Sequence, residues 1–192
     1  PSSNQVPLFV SHTLTSDTEF PANQLMSVLF AKLHRGLVGL RTTGIGVSFP
    51  KFDVTPPNLG TCLRLHGQRS VLLALMESDW LNGMRDHVVQ SVPSLVPSNT
   101  QHCNLRRIQT KSSPARLRRR LMHRHDLNEQ EALQRIPNEA ARFSRLPFVQ
   151  LRSTSTGQNF RVFFDNGSFQ PSAVSGDFNA YGFSQTATIP WF

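Results

Sequence analysis

Hydrophobic residues in the first hundred positions follow first the spacing of a strand and then that of a helix. Leu8–Leu14, which begins with three apolar residues and ends with another, is predicted to form the first strand. In residues 21–38, apolar side chains recur every three or four positions, which predicts an amphipathic helix. Its predicted core face carries Leu25, Met26, Leu29, Phe30, Leu33 and Leu37. Shorter patterns predict strands at Gly44–Phe49 and Cys62–His66, a helix at Ser70–Trp80 and a proline-interrupted strand at Val88–Val96.

The second half of the chain has a different pattern. Prolines and polar residues near 97–100 indicate a boundary. Beyond it the sequence predicts a helix over 114–125 and a second helix capped by Asn128 and Glu131. Phe148–Ser153 and Asn159–Phe164 predict a hairpin. We therefore expect an α+β protein, with a ferredoxin-like β-α-β-β-α-β domain over 1–99 and a smaller α+β domain over 100–192.

Charge is concentrated in one segment of this second half. The formal net charge is +8, and residues 101–192 account for +7 of it, with thirteen Lys and Arg against six Asp and Glu. Residues 101–125 hold eight Arg and Lys and no acidic residue. A localised excess of positive charge is typical of a docking face for a polyanion, and it predicts binding to nucleic acid.

The predicted helix over 114–125 arranges this charge as a stripe. Ser113 suits the N-cap and Pro114 the first helical position. At about 100° per residue, five basic side chains form a stripe about 140° wide. They are Arg116, Arg119, Arg120, His123 and Arg124. A solvated surface helix usually intersperses acidic i,i+4 partners, which are missing here, and the apolar side of this helix is too narrow for membrane insertion.

Other classes of protein fit the sequence poorly. No run of 18 apolar residues and no signal-like N-terminus is present, so we expect a cytoplasmic protein. Cys62 and Cys103 are isolated, which predicts free thiols. The acidic residues are scattered and no zinc-binding spacing occurs, so the sequence predicts neither a metal site nor a cofactor.

RNA offers a metal-independent route to cleavage, because its 2′-hydroxyl can attack the adjacent phosphate when a base removes the proton. Histidine suits this role, with an ordinary pKa of about 6.5. Of seven histidines, His34 lies about 100° from the centre of the apolar face of its helix, at an accessible edge. A boundary histidine without function is the alternative. Ser153, Ser155, Tyr181 and Phe160 carry no functional signal by themselves.

Short motifs across almost the whole chain resemble one family, the Csy-type (subtype I-F) CRISPR repeat endoribonucleases that process precursor CRISPR RNA. They occur in the family's order. The matching stretches are Glu19–Pro21, Gln24–Phe30, Lys32–His34, Ile45–Pro50, Arg116–Met122, Leu151–Ser153, Ser155–Gln158, Phe160–Arg161, Tyr181–Gly182 and Pro190–Phe192.

The resemblance implies that the arginine-rich helix enters the major groove of a CRISPR-repeat hairpin. Arg107 and Gln109 would contact base edges near the bottom of the stem, as their donor geometry allows. Phe160 would stack beneath the closing base pair. The residues implied to hold the RNA backbone are Arg116, Arg119, Arg120 and Arg124.

By the same resemblance, His34 is the general base, Ser153 constrains the attacking 2′-hydroxyl, and Tyr181 orients the site. Ser155 would support the turn or the RNA. The implied products carry a 2′,3′-cyclic phosphate and a 5′-hydroxyl, and the protein would stay on the hairpin as a subunit of the surveillance complex. A non-catalytic hairpin-binding subunit is the first alternative, and a basic transcription factor or ribosomal protein is the second.

Overall fold

The computed structural model describes residues 7–108, 114–137, 145–153 and 155–192. This part of the chain is a mixed α+β structure in which every strand pairing is antiparallel. The helices described are α1 (Ala22–Leu40), α2 (Arg69–Glu77), α3 (Pro114–His125) and α4 (Glu129–Arg135). None of the described helices has the length and apolar character to cross a membrane.

The described strands form one larger sheet and three smaller ones. Their bounds are β1 (Leu8–Leu14), β2 (Ile45–Ser48), β3 (Asp53–Val54), β4 (Pro57–Asn58), β5 (Cys62–Gly67), β6 (Val88–Gln90), β7 (Ser94–Leu95), β8 (Gln101–Cys103), β9 (Leu105–Ile108), β10 (Phe148–Arg152), β11 (Asn159–Asn166) and β12 (Ile189–Trp191). The larger sheet has the order β2-β5-β1-β6, and β7 also pairs with β1. The predicted strand Leu8–Leu14 is confirmed, and its residues alternate between buried and half-buried positions.

Helix α1 packs on this sheet through the predicted face. All six apolar residues expected on that face are buried. Helix α2 is shorter than predicted, because it ends at Glu77 rather than at Trp80. The Ser78 hydroxyl donates to the carbonyl of Leu75, and the Trp80 N–H bonds to Ser78, so the chain turns there. A serine that bonds the preceding helical turn competes with continued helix.

The described residues of the second half contain the predicted hairpin and three strands that the sequence pattern did not reveal, β8, β9 and β12. Strands β10 and β11 pair as predicted, but β11 continues to Asn166 because its far end pairs with β9. Strand β12, near the end of the chain, pairs with β8. The predicted helix over 114–125 and the capping box of Asn128 and Glu131 are confirmed.

One hydrophobic core joins both halves. The ring of Phe30 on α1 contacts that of Phe164 on β11, with centroids 5.5 Å apart. The N–H of Gln150 on β10 donates to the Ser27 hydroxyl on α1 at 3.1 Å. Buried residues on both sides of residue 99 belong to this core. A shared core does not mark a boundary between domains, so the division into 1–99 and 100–192 stays a prediction.

Two histidines are buried in the larger sheet as neutral groups. His12 bonds the side chain of Gln90 at 3.0 Å, and burial lowers its pKa to about 4. His66 bonds the Ser48 hydroxyl at 2.8 Å, and burial lowers its pKa to about 3. Burial penalises the charged imidazolium, which explains the direction of both shifts.

These histidines should make stability depend on pH above the range in which carboxylates titrate. The unfolded chain binds protons near pH 6.5 while the folded chain does not, so the free energy of unfolding should fall as pH decreases from about 6.5 towards 4. The lowered pKa of His12 corresponds to a loss of about 3 kcal/mol in the free energy of unfolding once the pH is below both pKa values. Urea unfolding at pH 7 and pH 5 measures the loss, and His12→Gln should reduce it. Equal pH dependence in the two proteins would contradict this expectation.

Candidate functional site

His34 is half-buried on α1, and a backbone carbonyl from near the end of the chain fixes its ring. Its Nδ1 lies 2.7 Å from the carbonyl oxygen of Ala180. A carbonyl oxygen only accepts, so this hydrogen bond assigns the proton of the neutral ring to Nδ1. Nε2 then carries the free lone pair. The geometry therefore makes His34 Nε2 a proton acceptor.

Tyr181 lies against the same imidazole. The two ring centroids are 3.8 Å apart and the ring planes differ by 2°, so the rings stack face to face. On the core side, Tyr181 is nearly parallel to the rings of Phe30 and Phe183, with centroids 6.3 Å and 6.0 Å away. The phenol ring thus has a fixed orientation, which it imposes on His34.

The segment that carries Ala180 and Tyr181 is fastened along the edge of the larger sheet. The N–H of Phe178 donates to the carbonyl of Thr43 at 2.9 Å, and the N–H of Val47 donates to the carbonyl of Gly182 at 3.2 Å. Gly182 has a φ of +77°, and a Cβ there would come within 2.6 Å of Val47. Glycine is required at this position for both reasons.

Ser153 lies in the turn of the β10–β11 hairpin. Its hydroxyl lies 3.1 Å from the Ser155 hydroxyl and accepts from the N–H of Thr156 at 3.2 Å, while its own N–H donates to the carbonyl of Gln158. These hydrogen bonds are local to the turn. Among the described residues, the structure therefore brings His34 and Tyr181 into contact, whereas Ser153 is hydrogen-bonded within its own hairpin.

Two residues, Arg107 and Gln109, are candidates for contacts with the edges of RNA bases, and the structure describes Arg107. It is exposed on β9, and with Asn179 and Phe183 it lines a cleft of about 420 Å³ beside the segment that holds His34. Gln109, the second base-reading candidate, and Ser113, the expected N-cap, lie outside the described residues. Arg107 is thus close to the His34 contacts while its side chain remains open to solvent.

Helix α3 presents its arginines unevenly. Arg118 donates to the carbonyl of Ile136 at 2.9 Å, which ties α3 to the end of α4. Arg116 lies in the first turn of the helix. The other candidates for contacts with the RNA backbone have exposed side chains. They are Arg119, Arg120 and Arg124. The helix therefore offers a cationic surface on the side away from the Arg118 contact.

Phe160, the candidate for stacking on RNA, lies on β11 opposite Leu151. It is half-buried and packs against the hydrophobic core. Phe160 therefore lies in the strand predicted at Asn159–Phe164, and it is partly open to solvent. On the other face of the hairpin, the Arg161 guanidinium lies 4.5 Å from the centre of the Phe148 ring.

Two contributors to the site carry no signal in the sequence. The Ala180 carbonyl is a backbone group, so only the fold reveals its contact with His34. Asn179 organises the adjacent turn through its side chain, and its position in an irregular segment gives no periodicity to detect. Within the part of the chain that the structure describes, no group of three or more His, Cys, Asp or Glu is arranged to hold a metal ion.

Comparison with known proteins gives the chain its family. The profile described as "CRISPR-associated protein (Cas_Csy4)" matches residues 9–192. A relative from Pseudomonas aeruginosa (strain UCBPP-PA14), named "CRISPR-associated endonuclease Cas6/Csy4", is 51% identical over 93% of this chain and 96% of its own length. A protein of the same name from Escherichia coli (strain UTI89 / UPEC) is 42% identical over 92% of this chain and 94% of its own. The chain belongs to the Cas_Csy4 family of CRISPR-associated proteins.

Proposed function

We propose that this protein cleaves precursor CRISPR RNA at the base of the repeat stem-loop. The observation that carries the proposal is the environment of His34: Nδ1 donates to Ala180, the ring stacks on Tyr181, and Nε2 is left to accept a proton. The endonuclease names of the two relatives, which match more than nine-tenths of the chain, support the same activity.

The proposed chemistry uses a nucleophile supplied by the RNA. Nε2 of His34 takes the proton from the 2′-hydroxyl, and the 2′-oxygen attacks the adjacent phosphorus. The bond from phosphorus to the 5′-oxygen breaks, and that oxygen takes a proton from water to become a 5′-hydroxyl, while His34 returns its proton to water. The other product ends in a 2′,3′-cyclic phosphate. Because no step requires a metal ion, the reaction is expected to be metal-independent.

Two hydroxyl-bearing residues are assigned supporting roles. Ser153 constrains the attacking 2′-hydroxyl, which requires that its bonds within the turn exchange for one to the ribose when RNA binds. Ser155, 3.1 Å away from it, supports that turn or the RNA. Tyr181 orients His34 through the face-to-face stack, since a ring held on one side has fewer orientations than a free one. Positioning of this kind acts on the rate rather than on affinity.

The RNA-binding surface is assigned to the second half of the chain. Arg107 and Gln109 contact base edges near the bottom of the stem, and the exposed part of Phe160 stacks beneath the closing pair. The arginine-rich helix lies in the major groove. Its backbone contacts are assigned to Arg116, Arg119, Arg120 and Arg124. Exposure of the last three side chains and the absence of acidic residues in the first turn of α3 support this assignment.

The chain is also proposed to consist of two domains. We assign residues 1–99 to a ferredoxin-like domain, supported by the order β1-α1-β2-β5-α2-β6 and by the antiparallel sheet order β2-β5-β1-β6. Residues 100–192 form the RNA-hairpin-binding domain. The protein is proposed to act in the cytoplasm and to remain on the product hairpin with the other subunits of the subtype I-F surveillance complex.

The test uses the repeat hairpin RNA and a copy with a 2′-deoxy substitution at the cleaved nucleotide. The intact RNA should be cut in excess EDTA, because the nucleophile and the base need no metal. The 2′-deoxy RNA should bind with similar affinity and remain whole. Cleavage that stops with EDTA and returns with magnesium would contradict the mechanism. Tight binding of the unmodified RNA without cleavage would favour the non-catalytic hairpin-binding subunit.

A further inference from the structure

We propose that Asn179 is a positioning residue that fixes the proton of His34 on Nδ1 by closing the turn opposite the imidazole. Its side-chain oxygen accepts from the N–H of Tyr181 at 2.9 Å and from the N–H of Phe183 at 3.2 Å. The proposal rests on the proposed function of His34 as the base. It adds a residue that acts on the imidazole through the turn.

The backbone of Asn179 completes the turn. Its N–H donates to the carbonyl of Phe183 at 2.8 Å, and its carbonyl accepts from the N–H of Gly182 at 2.8 Å. With the two side-chain bonds, four hydrogen bonds close residues 179–183 around Asn179. Ala180 and Tyr181 lie at the tip of this turn, where both contact His34.

His34 depends on these contacts for its orientation. The torsion that rotates an imidazole about its Cβ–Cγ bond is broad and nearly two-fold, so the helix alone does not select which edge of the ring faces the turn. The ring is half-buried, and the structure fixes it through the Ala180 carbonyl on one edge and the Tyr181 ring on one face. The sheet-edge bonds at Phe178 and Gly182 hold the two ends of this segment, and the turn sets the positions of Ala180 and Tyr181 between them.

An asparagine suits this position for a specific reason. Asparagine and aspartate side chains accept from the backbone N–H two residues later, which forms an Asx-turn. Alanine at 179 would leave the N–H groups of Tyr181 and Phe183 without this acceptor. Asn179 is exposed, so the change removes hydrogen bonds without opening a cavity in the core. The expected effect is local, and it falls on the protonation pattern of His34.

The experiment compares Asn179→Ala and Asn179→Asp in the full-length protein. The first readout is ¹⁵N NMR of the imidazole nitrogens without RNA, in alkaline buffer, with the His34 signals identified by their loss in His34→Ala. Wild type and Asn179→Asp should carry the proton on Nδ1. Asn179→Ala should show a mixture with the proton on either nitrogen.

The second readout is single-turnover cleavage of the repeat hairpin at saturating protein. Since the rate follows the fraction of rings in the competent form, Asn179→Ala should cleave several-fold more slowly, well short of the about 10²–10⁴-fold expected for loss of the base. Hairpin affinity should be unchanged, and Asn179→Asp should restore the rate. The matched control is Asn58→Ala, which removes an equivalent bond to the Gly60 N–H in a different turn and should leave His34 unaffected.

The two readouts separate the possible failures. If Asn179→Ala keeps the His34 proton on Nδ1 and cleaves as fast as wild type, the positioning role is wrong. If Asn179→Ala fails to fold, failure of Asn179→Asp to retain the wild-type nitrogen signals overturns the proposal instead. If His34→Ala cleaves at the wild-type rate, the proposed base is wrong, while the nitrogen signals still decide whether Asn179 sets the protonation pattern.

Discussion

Replacement of His34 by alanine should separate binding from cleavage. The variant should bind the repeat hairpin nearly as tightly as wild type and cleave it about 10²–10⁴-fold more slowly, the usual contribution of a positioned general base. Affinity should survive because His34 lies on α1, outside the basic run of residues 101–125. Cleavage should not survive, because the 2′-hydroxyl would have to lose its proton to water.

The rate is measured in single turnover with saturating protein, so that weaker binding cannot imitate slower chemistry. His87→Ala is the matched control, since His87 is paired with Asp17 at 3.0 Å and lies outside the His34 contacts. It should cleave at the wild-type rate. A His34→Ala protein that cuts within a few-fold of wild type would remove His34 from the mechanism. Loss of binding together with cleavage would indicate a displaced helix.

The sequence predicts those helices and strands whose pattern lies within a single segment of the chain. Leu8–Leu14 contains a run of three apolar residues that is typical of a strand, and α1 repeats its apolar side chains with the helical period. Each pattern lies within one segment and needs no distant partner to be recognised. The capping box of Asn128 and Glu131 is local in the same way. All three are present in the structure.

Elements that depend on distant pairing were missed. Leu105–Ile108 contains two arginines that obscure its alternation, and it is a strand because β11 lies beside it. Ile189–Trp191 pairs with residues more than eighty positions earlier. Gly46 shows the same dependence, since a Cβ there would come within 2.7 Å of the Phe178 ring. No window of sequence contains both members of such a pair.

In the candidate site too, some residues are identified from the sequence and others only from the fold. Resemblance to a family identifies His34 and Tyr181 as candidates, and the structure stacks their rings. The resemblance does not identify Nε2 as the accepting atom, because that follows from the Ala180 carbonyl, 146 residues away in sequence. Neither the sequence nor the resemblance identifies Asn179, because its proposed effect on His34 passes through the turn of residues 179–183.

The arginines of α3 should govern affinity without governing the rate of cleavage. Combined replacement of Arg119, Arg120 and Arg124 by glutamine should lower the slope of log affinity against log salt by about 2 to 3, because each phosphate contact releases about 0.9 counterion. At about 0.1 M salt this corresponds to a loss of two to three orders of magnitude in affinity. The three side chains are exposed, so the fold should tolerate glutamine at these positions.

Filter binding across a range of salt concentrations measures the slope, and single-turnover cleavage at saturating protein measures the rate. Arg85→Gln is the charge-matched control, because Arg85 pairs with Asp79 at 2.5 Å in the first half of the chain, away from α3. It should change neither quantity. The combined variant should still cleave every hairpin that it binds, since its His34 contacts are intact. An unchanged salt slope would show that these arginines do not hold phosphates, and it would contradict the proposal that α3 lies in the major groove of the hairpin.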